Sequence, residues 1–566
     1  MRVYLTLLLV AVYATAAPIV DTNYGKVEGF DYEDAEVFLG IPFAKPPVDE
    51  LRFERPEAPE PWDGVYAANQ FRNDCTPHYR LVAQFSSYSG EDCLTLNVIR
   101  PKEKTEKLLP VLFWIHGGGY EIGAASQHGY EVFARKYATQ GVIVVTIQYR
   151  LGFLGFFTDG TDGNYGLFDQ AAALKFVNQN IAQFGGDPDQ VTIWGYSAGA
   201  SSVSQLTLSP YTRDLYSKAI IMSASSFAGW ATGPKVADNS KRLAEILGCP
   251  WPAAKECMKK KPLSEIFDAV EEQGWTTGTI DILRWSPVID GDFLPVNPAD
   301  LVKSAPTKPV LMGLSNKEAA YFTAANMGRV IADFGLSEET LPKVDEEFIT
   351  EIVGRKVLYE NRYGENREKV WKEIINFYLH HGKPEDQKDL NGFYVNQYSE
   401  MFSDIVFNVP IVREIMTRVE QKTPVWTYLF EHYNDKIWKK YIPKQVKGSP
   451  HANEYHYLFE MPALTEIDIT KEPDMSIQND MINMVVSFTK TGVPKVQDLD
   501  WRPVSDPDDI NFLRIQTEGA SLQNNGLFQE STHFWNTLRD REGFDLVDPT
   551  FFSTRSSSHS HDKQEL

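Results

Sequence analysis

The chain of 566 residues is 43% hydrophobic and 23% charged, a make-up that excludes disordered and fibrous classes and is too long for one small core. Its formal net charge of −22, spread along the chain, repels nucleic acid and anionic membranes, so neither is expected as a partner. Past the N-terminus no stretch reaches the roughly 18 apolar residues of a membrane span, so no membrane anchor is expected.

Residues 1–16 read as a secretory signal peptide, with Met1-Arg2 as a short basic start, an apolar run over 4–12 and Ala14-Thr15-Ala16 as the cleavage pattern. Cutting after Ala16 is preferred, because a cut after Ala17 would leave Pro18 directly behind it. The four cysteines fall as Cys75 with Cys93 and Cys249 with Cys257. In an oxidising compartment local pairing is the simplest of the connectivities open to them. No Cys-x-x-Cys pair exists, so zinc chemistry is not indicated, and no metal or cofactor is expected.

Short β-branched runs at 111–115, 142–149, 191–194 and 219–222 are bounded by Gly, Pro or polar turns and predict strands. Between the second and third, residues 167–184 repeat apolar positions at helical spacing until Gly185-Gly186-Asp187-Pro188 stops them. Strands alternating with helices predict an α/β fold with a mostly parallel sheet covered on both faces. Residues 310–314 and 425–430 predict two more buried strands, and 337–389, rich in Glu and Lys, a solvated helical insertion over the carboxyl edge of the sheet. No repeat or linker divides 17–552, so one catalytic domain is expected there, an α/β unit long for its kind. A flexible tail over 553–566 should follow, ending in Lys563-Gln564-Glu565-Leu566.

Chemistry is clearest at Gly195-Tyr196-Ser197-Ala198-Gly199, which follows one predicted strand and opens a helical pattern. Gly-x-Ser-x-Gly in that context is a strained strand-to-helix turn that lifts the serine hydroxyl out for attack. Directly after the strand at 111–115 stands His116-Gly117-Gly118-Gly119. Acyl transfer builds an oxyanion, and backbone N–H groups freed of side chains are rigid donors for it. Gly118, Gly119 and Ala198 would together supply those donors. The loop lacks the Gly-Lys-Ser/Thr of a phosphate cradle, and His116 is expected to be structural.

A serine nucleophile needs a base, itself oriented by an acid, in the chain order Ser, acid, His. Spacing alone does not choose among the 11 histidines. His451, in Gly448-Ser449-Pro450-His451-Ala452-Asn453-Glu454, lies in a polar loop after a strand, and Glu318 follows the strand at 310–314.

These blocks resemble the type-B carboxylesterase/cholinesterase family, of α/β-hydrolase fold, over nearly all of the mature chain. The resemblance is carried by Phe38-Leu39-Gly40-Ile41-Pro42-Phe43-Ala44, Ser89-Gly90-Glu91-Asp92-Cys93-Leu94-Thr95-Leu96-Asn97-Val98, Gln148-Tyr149-Arg150 and Phe184-Gly185-Gly186-Asp187-Pro188 in order. It implies Glu318 as triad acid from a Gly-x-x-x-x-Glu block, His451 as base from a Gly-x-x-His-x-x-Glu block, and disulfides Cys75–Cys93 and Cys249–Cys257. Ser226 resembles a serine that supports the acid. Two departures matter. Tyr196 stands where many members carry Glu, removing an acidic group beside the nucleophile, and 76–92 holds no Trp to bind a quaternary ammonium by cation–π attraction.

The expected activity is hydrolysis of a small-molecule carboxylic ester through an acyl-enzyme on Ser197. A lipase-like or hormone-ester hydrolase on the same triad is the alternative. An adhesion protein of the family, which has lost the nucleophile, is disfavoured by the presence of Ser197, Glu318 and His451. The final Lys-Gln-Glu-Leu is similar to the Lys-Asp-Glu-Leu retention address, with Gln564 for Asp. Together with the signal it implies the endoplasmic reticulum lumen and a retention receptor as partner, with secretion as the alternative. No Asn-x-Ser/Thr acceptor for N-glycosylation is present.

Overall fold

The computed structural model describes residues 17–550 apart from 81–87, 161, 234, 326–331, 361, 387, 389, 439–441 and 462–467. The signal read at 1–16 and the tail at 553–566 lie outside the described residues. An 11-stranded sheet organises the molecule. In chain order its strands are β1 (Phe30–Tyr32), β2 (Ala35–Pro42), β3 (Thr95–Pro101), β4 (Leu109–Ile115), β5 (Ile143–Ile147), β6 (Gly186–Tyr196), β7 (Lys218–Met222), β8 (Val310–Ser315), β9 (Val425–Phe430), β10 (Phe512–Gln516) and β11 (Gly519–Gln523). Their spatial order is β11-β10-β9-β8-β7-β6-β4-β5-β3-β2-β1. Neighbours from β5 through β10 are parallel, and both margins are antiparallel. The sheet is therefore mixed, with a parallel centre.

The parallel centre explains the apolar runs. In β4, Val111, Phe113 and Ile115 enter one core and Leu112 and Trp114 the other, because successive side chains leave opposite faces and helices cover both. Helix α1 (Tyr165–Asn180) packs into the first core, while α5 (Asp474–Thr491) lends Ile477, Met481, Met484 and Val485 to the second. The helix expected over 167–184 starts slightly earlier, and its last turn tightens to a 3₁₀ turn, Ile181–Phe184, closed by Gly185 at φ 85°. The Gly-Gly-Asp-Pro stop then passes straight into β6, whose register shifts between Gly186 and Val191.

Between β8 and β9 the chain inserts helices that include α3 (Leu390–Ser403) and α4 (Val409–Glu420). Helix α3 packs on the turn that leaves the carboxyl end of β8, where Ser403 Oγ accepts the N–H of Ala319 at 2.9 Å. This part of the insertion therefore lies at the carboxyl edge. Cys75 pairs with Cys93 and Cys249 with Cys257. Closing a loop of this order is worth about 3 kcal/mol on the chain-entropy account. Among the described residues no helix is long and apolar enough to cross a membrane.

Candidate active site

Strand β6 ends at Tyr196, and helix α2 (Ala198–Leu208) begins two residues later. Ser197 makes the turn alone, at φ 55° and ψ −128°, a conformation that costs a side-chain-bearing residue about 1–3 kcal/mol. The turn is held from both sides. The Ser197 N–H donates to the Met222 carbonyl at 2.9 Å, and its carbonyl accepts from the Ser201 N–H at 2.9 Å. Glycines permit the close approach: a Cβ on Gly195 would lie 2.2 Å from the Gly199 carbonyl oxygen, and one on Gly199 would lie 2.2 Å from that of Ile115. The elbow is thereby seated on the end of β4, with the positive end of a fully buried helix behind the serine.

The end of β4 leads directly into the glycine loop. A Cβ on Gly117 would meet the Tyr196 carbonyl oxygen at 2.6 Å and Ser197 Cβ at 3.1 Å, so loop and elbow touch. Gly118 has φ 114° and Gly119 φ 63°. Among the described residues the N–H groups of Gly118, Gly119 and Ala198 donate to no protein acceptor, leaving them open to a ligand oxygen. His116 does not face that space. Its ring stacks on Tyr149 at 4.5 Å, its carbonyl accepts the Tyr149 hydroxyl at 3.0 Å, and burial lowers its pKa to about 4, so it is neutral. Gly118→Ala keeps the N–H but displaces the loop, and turnover should fall by about 100- to 1,000-fold, the effect expected if these amides meet the reacting oxygen. Its Cβ would lie 2.1 Å from the Ile122 carbonyl oxygen and force the loop to shift. The check is kcat on a simple ester, and a variant with unchanged kcat contradicts a role for this loop.

Glu318 opens the turn after β8 and is fully buried. Its Oε1 accepts the Ser315 N–H at 2.7 Å, which leaves Oε2 aimed at Nδ1 of His451, 2.6 Å away. Backbone bonds tie the two segments together: the Lys317 N–H donates to the Ser449 carbonyl at 2.9 Å and the His451 N–H to the Glu318 carbonyl at 3.2 Å. With Nδ1 donating to the carboxylate, Nε2 is the nitrogen left to accept a proton. The imidazole is enclosed by Phe407, Tyr196 and Phe322, at 4.9, 5.1 and 5.5 Å between ring centres.

Among the described residues the Ser197 hydroxyl makes no hydrogen bond to the imidazole. Such bonds are commonly loose before substrate binds, and a χ1 rotation moves the hydroxyl. Ser226 makes its hydrogen bond to Ser204 of α2 at 2.7 Å, in a buried network with Glu414 and Arg418, not to Glu318. The sequence patterns assign no role to Glu454, yet its carboxylate lies under the elbow. Oε2 accepts from the Tyr196 hydroxyl at 2.8 Å and from Ser315 at 3.0 Å. The acidic group expected to be missing beside the nucleophile is thus supplied from the histidine loop, with Tyr196 as its link. Its only sequence signal is the final Glu of Gly-x-x-His-x-x-Glu.

A serine on a strand-to-helix elbow, over a sheet of this order, with an acid just past the end of β8 and a histidine in the connection that follows β9, defines the α/β-hydrolase fold. The carboxylesterase family model matches residues 16–535, and the chain belongs to that family. It is 71% identical to gut esterase 1 of Caenorhabditis elegans and 72% identical to that of Caenorhabditis briggsae, each over 569 residues and all of both chains. Liver carboxylesterase of Sus scrofa is 32% identical over 565 residues, covering 93% of this chain and 94% of that one. The protein is a carboxylic ester hydrolase.

Proposed function

We propose that hydrolysis runs through an acyl-enzyme on Ser197, with His451 as base, Glu318 as the acid that orients it, and Gly118, Gly119 and Ala198 as the oxyanion hole. Ser197 Oγ attacks the ester carbonyl carbon while its proton passes to His451 Nε2. The carbonyl oxygen takes up the negative charge and is met by the free amides. The tetrahedral intermediate collapses, the bond to the alkoxy oxygen breaks, and His451 returns its proton to the departing alcohol. Water then attacks the acyl-enzyme by the same route and releases the acid. The observation that carries this reading is the 2.6 Å contact of His451 Nδ1 with Glu318, on a loop whose backbone also bonds to Tyr196 beside the nucleophile.

The substrate is a neutral small-molecule ester. The rings of Phe322 and Phe407 against the imidazole favour an apolar acyl group, and a quaternary ammonium alcohol finds no Trp within 76–92. Residues 17–552 form the one catalytic domain. The signal pattern at 1–16 and Lys563-Gln564-Glu565-Leu566 support residence in the endoplasmic reticulum lumen through a retention receptor. A panel of neutral esters of graded acyl length, with acetylcholine included, tests the chemistry. Hydrolysis of the neutral series with a lower kcat/KM for acetylcholine is expected, and preference for acetylcholine overturns the substrate assignment.

A further inference from the structure

Tyr196 is the last residue of β6, immediately before the nucleophile, and its side chain is buried under the turn. Its hydroxyl accepts the N–H of Ala452 at 2.6 Å and donates its own hydrogen to Glu454 Oε2 at 2.8 Å. Ala452 directly follows His451 and has φ 67°, a left-handed conformation that an alanine keeps only when its surroundings hold it. The Tyr196 ring also lies 5.1 Å from the imidazole and 4.6 Å from the ring of Tyr455, whose hydroxyl would sit 3.4 Å from a Cβ on Gly117. One phenol therefore meets the base loop on its backbone and on its ring, while the next aromatic reaches the glycine loop.

We infer that Tyr196 and Glu454 are a positioning pair, in which the phenol hydroxyl bridges Ala452 N–H and the Glu454 carboxyl and so holds the His451 loop in register with the strand that carries Ser197. This rests on the assignment of Ser197 and His451 as nucleophile and base. It also gives Tyr196 a purpose: one neutral hydroxyl both accepts the amide N–H and donates to the carboxyl, without setting a further carboxylate beside Glu318. A chain of hydrogen bonds from amide to phenol to carboxyl polarises in one direction and strengthens its members.

The groups facing Glu454 are Tyr196, Ser315 and Tyr428, the last at 3.5 Å, together with the charge of Glu318 and the phenol of Tyr455. No cation is among them. Burial first, and the Glu318 charge second, push its pKa up to about 8, so the carboxyl holds its proton at neutral pH. The unfolded chain loses that proton near 4.5 and the folded chain near 8. Glu454 therefore makes the fold progressively less stable as pH rises between those values, and the loss is complete above the upper one.

The test uses the full-length enzyme and the variants Tyr196→Phe, Glu454→Ala and Glu454→Gln, with a neutral ester, fluorophosphonate labelling and thermal melts across pH. Tyr196→Phe keeps the ring but loses both hydrogen bonds of the hydroxyl, to Ala452 N–H and to Glu454, and should lower kcat about tenfold with little change in KM. Glu454→Gln preserves an acceptor for the phenol without a charge, and should recover about tenfold in kcat over Glu454→Ala. Its melting temperature relative to wild type should climb as pH rises from 4.5 to about 8. Wild-type kcat in Tyr196→Phe, or a Glu454→Gln variant with the kcat of Glu454→Ala and the pH dependence of the wild-type melt, overturns the inference. Failure of the underlying assignment is separately visible, since the wild-type enzyme would then take up no label at Ser197.

Discussion

Ser197→Ala is expected to lose about 10⁶-fold in kcat on any ester while folding as the wild type does. Without Oγ no acyl-enzyme forms, and only binding and the amides of the glycine loop and Ala198 remain, which supply about 10³- to 10⁴-fold over water. The fold should be indifferent. Alanine carries the same backbone strain at φ 55° as serine, and the two bonds that hold the turn, to Met222 and from Ser201, are both backbone. Initial rates together with a thermal melt decide it. Unchanged turnover in a folded variant would place the nucleophile elsewhere.

Glu318→Gln should have the second-largest effect, about 10⁴-fold in kcat. The substitution is nearly isosteric, so packing survives, but the hydrogen-bond sense does not. Oε1 receives the Ser315 N–H at 2.7 Å, which demands an acceptor at that position. A glutamine that keeps its oxygen there must turn its NH₂ toward His451 Nδ1. The imidazole then has to accept at Nδ1 and carry its hydrogen on Nε2, the tautomer that cannot take the serine proton. Measured kcat, with the variant's melt close to wild type, checks this. A loss of only a few fold would mean that Glu318 merely fills space.

The parallel centre of the sheet was legible in the sequence because strands buried on both faces are continuous apolar runs, as 111–115 and 310–314 are. Its margins were not. Strand β2 breaks its own alternation, with a register shift between Phe38 and Ile41 and Gly40 at φ 71° inside it. Strand β11, Gly-Ala-Ser-Leu-Gln, lies at the sheet edge with no residue buried, so nothing apolar marks it. The elbow and the glycine loop were legible for a different reason. Each is a local backbone shape that glycines at fixed offsets impose.

The pairing of Glu318 with His451 spans 133 residues and could be read only through resemblance to a family. The bridge from Tyr196 to Glu454 spans 258, and no local pattern encodes it. From the sequence Tyr196 reads as the loss of an acid; in the folded chain it is the group that contacts one. The same limit applies to Ser226, whose partner on α2 is fixed by packing of helix on sheet.

Fluorophosphonate treatment of the enzyme, followed by digestion and mass spectrometry, tests the central claim most directly. The account predicts a single phosphonyl adduct, on the peptide that contains Ser197, formed in step with the loss of esterase activity. An inhibited enzyme with its adduct on another residue, or an active enzyme that takes up none, would contradict it.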